Sequence, residues 1–234
     1  NMEGTLKFIL DNIEALKGDY ICVSNVHTTI MSYEDESYRA IQNRAVMVLP
    51  DGGPLSKVGR QLGYSRMDRV TGPDLMEALF KVSDSRGFRH FFYGATDDTL
   101  NCLQNSLMER YPKMVIAGVF SPPFRKMSES EDKQMTEMIN GTEPDFVWVG
   151  LGAPKQERWM SEHQGHINGL MIGVGAGFDY HAGKIKRAPL WMQKHNLEWF
   201  YRLCQEPCRL FGRYFRTNLK FLYLIHKKCG NMNG

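Results

Sequence analysis

Apolar residues along this chain fall into two kinds of run. Six short runs are continuously apolar and β-rich: "YICVSN" (Tyr20–Asn25), "AVMVL" (Ala45–Leu49), "HFFYG" (His90–Gly94), "MVIAGV" (Met114–Val119), "DFVWVG" (Asp145–Gly150) and "LMIGVG" (Leu170–Gly175). The stretches between them carry apolar residues at three- and four-residue spacing behind polar caps, which predicts helices: "TTIMSYEDESYRAIQN", "GPDLMEALFKVSDSRG", "TDDTLNCLQNSLMERY", "SESEDKQMTEMIN" and "PKQERWMSEH". An amphipathic "TLKFILDNIEAL" precedes the first strand. Strands without polar alternation are buried on both faces, so the pattern predicts an α/β, Rossmann-like fold: a mainly parallel sheet with helices on both faces. Beyond Gly183 no strand is evident, and the sequence predicts two or three helices broken near Pro207. The chain thus divides into an α/β domain over residues 1–187 and a helical appendage over residues 188–234.

Composition changes this picture little. The length of 234 residues suits one large α/β domain with a small appendage, and 42% hydrophobic against 24% charged residues excludes a disordered chain. Five scattered cysteines, none in Cys-x-x-Cys spacing, read as free thiols of a reduced, cytoplasmic setting. No run approaches the roughly 18 apolar residues of a spanning helix and no signal-peptide pattern opens the chain, so neither secretion nor a membrane span is expected. Charge is more informative. Between Lys194 and Lys228, eight basic residues face only Glu198 and Glu206, a net +6 that leaves −3 for the remainder of a +3 chain. Such asymmetry points to an anionic partner for the C-terminal part.

Sheets of this kind hold ligands outside the carboxyl ends of their strands. There the chain carries "SNVHTT", "PDGG", "GATDD" beginning at Gly94, "GLGAPKQE" and "GVGAGFDYHAG". Gly152 and Gly175 sit in glycine-rich loops that let backbone approach a phosphate, with Gln156 in the first turn of the next helix; tight strand-to-helix packing is the alternative. Pro-Asp-Gly is turn chemistry wherever it occurs. At a strand's carboxyl end, Asp51 can also act as a general base. Asn25 and His27 offer a hydrogen-bonding pair, against a helix cap and a satisfied polar histidine. Arg69, just before a helix entry marked by Thr71 and Pro73, is either a surface arginine or a cation for a diphosphate. Asp179 suits ribose or sugar hydroxyls, or simply caps its loop.

No Asp-x-Asp occurs, and His163 and His166 have no evident co-ligands, so neither a metal nor a cofactor is expected. "GVGAGFD" looks like a dinucleotide fingerprint but closes the sheet instead of opening it, which argues against a nicotinamide. Basic residues interleave with Trp191, Trp199, Phe211 and Phe215 in the C-terminal helices, a mixture suited to an anionic bilayer surface. A solvated helical subdomain is the plainer alternative. Nucleic acid is not expected, since no stacking motif supports it.

Taken together and in order, "SNVHTT", "LPDGGPL", "RVTGPDLM", "FFYGAT", "VWVGLGAPKQERWM", "GVGAGFDYHAGKIKRAP" and "LEWFYRLCQEPCRLFGRY" resemble the WecG/TagA/CpsF glycosyltransferases of bacterial cell-surface polymer synthesis. The resemblance implies inverting, metal-independent transfer of N-acetylmannosamine or a related sugar from a UDP-sugar to a polyprenyl-diphosphate-linked acceptor. It implies that Asp51 is the catalytic base and that Asn25, Arg69 and Gln156 serve the site. It also implies that Arg202 and Arg209 approach the diphosphate, from an appendage that attaches the enzyme peripherally to the inner face of the plasma membrane. Homo-oligomerisation is compatible with it. Val23 and His27 stand where some members have threonine and glutamate, which bears on sugar or acceptor choice. Members usually begin with a further strand, so the natural chain is expected to extend upstream of Asn1. A non-catalytic UDP-sugar-binding scaffold and an epimerase or dehydrogenase acting on UDP-sugars are the alternatives.

Overall fold

The computed structural model describes residues 1–230, apart from the side chains of Lys194, Arg209, Arg213 and residues 228–230. All six expected strands form one sheet: β1 (Tyr20–Ser24), β2 (Met47–Pro50), β3 (Arg89–Gly94), β4 (Val115–Phe120), β5 (Phe146–Gly150) and β6 (Leu170–Gly173). Their order is β2-β1-β6-β5-β3-β4 and every pairing is parallel. All strand carboxyl ends therefore emerge at one end of the molecule.

Continuous apolar strands feed two cores because successive side chains point to opposite faces. Ile21, Phe92, Phe146, Trp148 and Ile172 enter one core with Ile9, Leu79 and Leu103, while Tyr20, Phe91, Val147, Val149 and Met171 enter the other with Ile139 and Met160. A polar pair lies inside the first layer, where Trp148 Nε1–H donates to His90 Nδ1 at 2.9 Å. Burial depresses His90 to about 3, so it sits there as a neutral acceptor.

Helices α1 (Met2–Leu16), α5 (Gly72–Arg86), α6 (Asp97–Arg110), α7 (Glu129–Gly141) and α8 (Lys155–Glu162) fall on the expected stretches, and α4 (Gly53–Gln61) follows β2. Two local expectations need correction. The single helix predicted from Thr28 to Asn43 is two, α2 (Val26–Glu34) and α3 (Glu36–Arg44). Asp35 separates them in an extended conformation, its N–H donating to the Met31 carbonyl and its side chain accepting from the Tyr38 N–H, so one aspartate ends one helix and caps the next. The loop expected at "GFDYH" is a short helix, α9 (Gly177–His181).

The C-terminal segment forms α10 (Leu190–Lys194), α11 (Glu198–Gln205) and α12 (Pro207–Gly230), with the break at Pro207 as expected. It packs against α2 and reaches the carboxyl end of the sheet. Leu210, Thr217 and Phe221 are buried on one side of α12, while Phe211, Phe215, Leu219, Leu222 and Tyr223 are exposed on the other. Lys220 and Arg216 both pair with Glu34 of α2.

Candidate active site

Where β1, β2, β5 and β6 end, their loops and the helices α9, α11 and α12 enclose a cleft of about 660 Å³. The Pro-Asp-Gly-Gly turn lies in it. Asp51 N–H donates to the Ser24 carbonyl at 2.7 Å, and the Pro50 carbonyl accepts from Val70 N–H at 2.9 Å, so the turn is tied to the strand on one side and the entry to α5 on the other. Gly52 has φ +131°, a conformation L side chains rarely adopt. Gly53 gives Asn196, from the link between α10 and α11, its seat: a Cβ there would lie 2.0 Å from the Asn196 side-chain amide, which would have to move away.

This leaves the Asp51 carboxyl half-buried in the cleft. Burial pushes its pKa up to about 6; Arg69 and Arg202 favour the carboxylate, while Glu198 and Asp74 oppose it. A carboxylate so poised can take a proton near neutral pH. Asn25 caps α2: Oδ1 accepts from His27 N–H at 3.0 Å and Thr28 N–H at 3.2 Å, while Thr28 Oγ1 accepts from Asn25 N–H at 2.8 Å. The cap and the cleft lining are thus the same residue, and His27 lines the cleft beside it.

Arg69 reaches the cleft from the segment before α5, with Nη1 3.0 Å from Glu198 Oε2 and Nη2 3.8 Å from Asp74 Oδ2. Across the cleft, Arg202 of α11 lies with its guanidinium 5.8 Å from the centre of the Tyr180 ring. Gln156 ties α8 to the loop after β6. Its Oε1 accepts from Gly175 N–H at 3.0 Å and its Nε2–H donates to Glu157 Oε1 at 2.8 Å. Glu157 is fully buried, and burial raises its pKa. Gly152 and Gly175, at φ +76° and +54°, hold their loops open in the left-handed region. Asp179 lines the cleft from α9, and its carbonyl accepts from Lys184 and Ile185 N–H groups.

The fold therefore gathers Asn25, His27, Asp51, Arg69, Gly152 and Gln156 into one cleft, together with Gly175, Asp179 and Arg202. Gly94 does not join them. It pairs with Gly150 in the sheet, and a Cβ there would lie 2.7 Å from the Gly150 backbone, so its φ of +118° serves close strand packing. The side chain of Arg209 lies outside the described residues. Glu198, Asn196, Trp199 and Tyr214 also line the cleft, where the sequence offers the aromatics of this segment only for a bilayer surface, Glu198 only as one of two acids in a basic stretch, and Asn196 for nothing. Their stretch reads as a basic, aromatic helical segment, and nothing local to it says which of its residues turn inward to the cleft. Among the described residues no group of three His, Cys, Asp or Glu side chains is placed to hold a metal, and no helix is long and apolar enough to cross a membrane.

Open parallel sheets hold their ligands outside the strands' carboxyl ends, and a carboxylate with two guanidiniums there suits an anionic one. The model of the glycosyl transferase WecG/TagA/CpsF family matches residues 1–233, and the chain belongs to that family. It is a glycosyltransferase. An N-acetylglucosaminyldiphosphoundecaprenol N-acetyl-beta-D-mannosaminyltransferase of Bacillus subtilis (strain 168) is 31% identical over 194 residues, 82% of this chain and 73% of the relative. Its counterpart in Staphylococcus aureus (strain MW2) is 29% identical over 209 residues, 89% of this chain and 80% of the relative.

Proposed function

We propose that this glycosyltransferase moves N-acetylmannosamine, or a related hexose derivative, from a UDP-sugar to a polyprenyl-diphosphate-linked sugar, with inversion and without a metal. The relatives' names carry the sugar and the lipid-linked acceptor; the observation that supports the chemistry is Asp51 in the lining of the cleft, within the electrostatic influence of Arg69 and Arg202. The acceptor hydroxyl oxygen attacks the anomeric carbon of the donor while Asp51 takes its proton. The bond from that carbon to the β-phosphate oxygen breaks, and its electron pair leaves with UDP. Arg69 and Arg202, with Arg209 expected nearby, offset the charge gathering on the diphosphate, the task a divalent cation performs in other transferases. Gln156, Gly152, Gly175 and Asp179 hold nucleotide and sugar, while Asn25 and His27 face the reacting sugars.

Residues 188–234 act as a membrane-associating appendage in this reading. The exposed aromatic stripe of α12 and its excess of basic residues support contact with an anionic leaflet, which brings the cleft to an acceptor confined to the bilayer. The enzyme is then cytoplasmic and peripheral to the inner face of the plasma membrane. The test is UDP release from a panel of UDP-sugars with a short-chain GlcNAc-diphosphate-lipid acceptor. Release from UDP-N-acetylmannosamine that requires the acceptor is expected; acceptor-independent or absent release from every donor overturns the reading.

A further inference from the structure

Beside the cleft, four charged side chains form a closed ring to which the reaction above assigns only one member. Glu198, in the first turn of α11, places Oε2 3.0 Å from Arg69 Nη1 and Oε1 3.5 Å from Arg187 Nε. Asp74, in the first turn of α5, closes the ring with Oδ1 2.6 Å from Arg187 Nη1 and Oδ2 3.8 Å from Arg69 Nη2. The side chains of Arg69 and Glu198 are only 16% and 19% exposed, which shields their pair from the screening that weakens surface ion pairs.

The ring joins two parts of the molecule. Arg69, Asp74 and Arg187 come from the α/β body and the link that follows α9, whereas Glu198 comes from the C-terminal helices. Two residues earlier, Asn196 sits on Gly53 beside Asp51. One carboxylate thus couples the seat of α11, the helix that carries Arg202, to the orientation of Arg69. Without Glu198, Arg69 would keep only its longer contact to Asp74, and its guanidinium, which already acts electrostatically on Asp51, would be free to turn towards that carboxylate and quench the base.

We propose that Glu198 is a positioning residue for the transfer: by bridging Arg69 and Arg187 it docks α11 across the cleft and holds the Arg69 guanidinium off Asp51. This rests on the glycosyltransfer mechanism proposed above. The charged groups acting on Asp51 are Arg69, Arg202, Glu198 and Asp74; the Tyr180 phenol of α9 is coupled to it as well, and His27, Asp179 and Glu206 line the same cleft. Removing the Glu198 charge takes away one opponent of the Asp51 carboxylate and frees Arg69 to favour it.

The full chain carrying Glu198→Gln or Arg187→Gln is compared with wild type in two measurements: kcat/KM for the UDP-sugar against pH, and amide hydrogen exchange over residues 198–205. Glu198→Gln should lower kcat/KM by about ten- to a hundredfold at neutral pH, as misplaced catalytic groups do. It should also move the acidic limb of the profile to lower pH and speed exchange over 198–205 while the sheet amides stay protected. Arg187→Gln, which keeps the Glu198 charge, should speed the same exchange and leave the limb in place. Wild-type exchange over 198–205 in Glu198→Gln, or an unmoved limb, overturns the inference alone. A wild-type chain that releases no UDP overturns the parent reading and this one with it.

Discussion

One wall of the cleft is made by the carboxyl ends of β1, β2, β5 and β6, the other by α11 and α12, and the two are held by different forces. The first is backbone: strand ladders, the tie from Asp51 N–H to Ser24, the Asn25 cap and glycines at positive φ, over a core in which Trp148, Phe146 and Ile172 are fully buried. The second rests on ion pairs to Arg69 and Glu34 and on a few buried side chains such as Leu210 and Phe221. Apolar burial and sheet hydrogen bonds are insensitive to the approach of a membrane or a diphosphate, whereas ion pairs are not. The proposed base, Asp51, is therefore on the wall held by backbone and core, and Arg202 is on the wall held largely by ion pairs.

The contrast can be broken most severely at Asp51. Asp51→Asn should cut turnover by about 10²–10⁴-fold, the usual worth of general-base assistance. Stability should not fall. Because the folded pKa is raised from 3.8 to about 6, the native state holds the proton more tightly than the unfolded chain, so the carboxylate costs stability as pH rises through that window. Thermal unfolding at pH 7 should place the variant at or above wild type, and near-normal UDP release from it would remove Asp51 as the base. Deleting the chain after Asn196 should come next, abolishing co-sedimentation with anionic vesicles and sharply reducing transfer to a lipid-linked acceptor. A truncated protein that still pellets with vesicles would move the membrane contact to the body.

Trp148→Ala tests the wall held by backbone and core, where loss of a fully buried indole should cost about 3–5 kcal/mol in urea unfolding. A much smaller loss would mean that the sheet core is not what holds this wall. Gly53→Ala is the mildest and the sharpest probe of the seam between the walls. Its Cβ would collide with Asn196, so kcat/KM should fall roughly tenfold from misplacement while the thermal midpoint of the body stays close to wild type. An equal loss of stability would show that the seam belongs to the body.

Much of the body was legible from pattern alone, because a strand buried on both faces has to be written as a continuous apolar run, as the central β1, β3, β5 and β6 are. The edge strands β2 and β4 are written the same way but, against expectation, are only partly buried, since an edge has a neighbour on one side alone. What pattern missed has local physical causes. Asp35 breaks a helix that apolar spacing would have continued, since its extended backbone closes α2 through its own N–H while its side chain caps α3. Gly94 looks like a ligand loop because sequence does not distinguish a glycine facing solvent from one pressed against Gly150. The candidate site was legible where it hangs on strand ends, as at Asp51, Asn25 and Gln156. Where residues arrive from far along the chain, only Arg202 was foreseen, and that through the family resemblance; Glu198 and Asn196 were not.

The sequence by itself determined the parallel sheet, the end of it that carries the site and, through the ordered motifs, the family. Those features depend on local periodicity and on turn residues, which are written within a few positions of where they act. Tertiary structure alone decided that Glu198 meets Arg69 and Arg187, that Asn196 rests on Gly53, and that burial lifts Asp51 towards neutral pH. Each depends on which surfaces are pressed together and how much water that removes, and neither quantity is carried by any one stretch of chain.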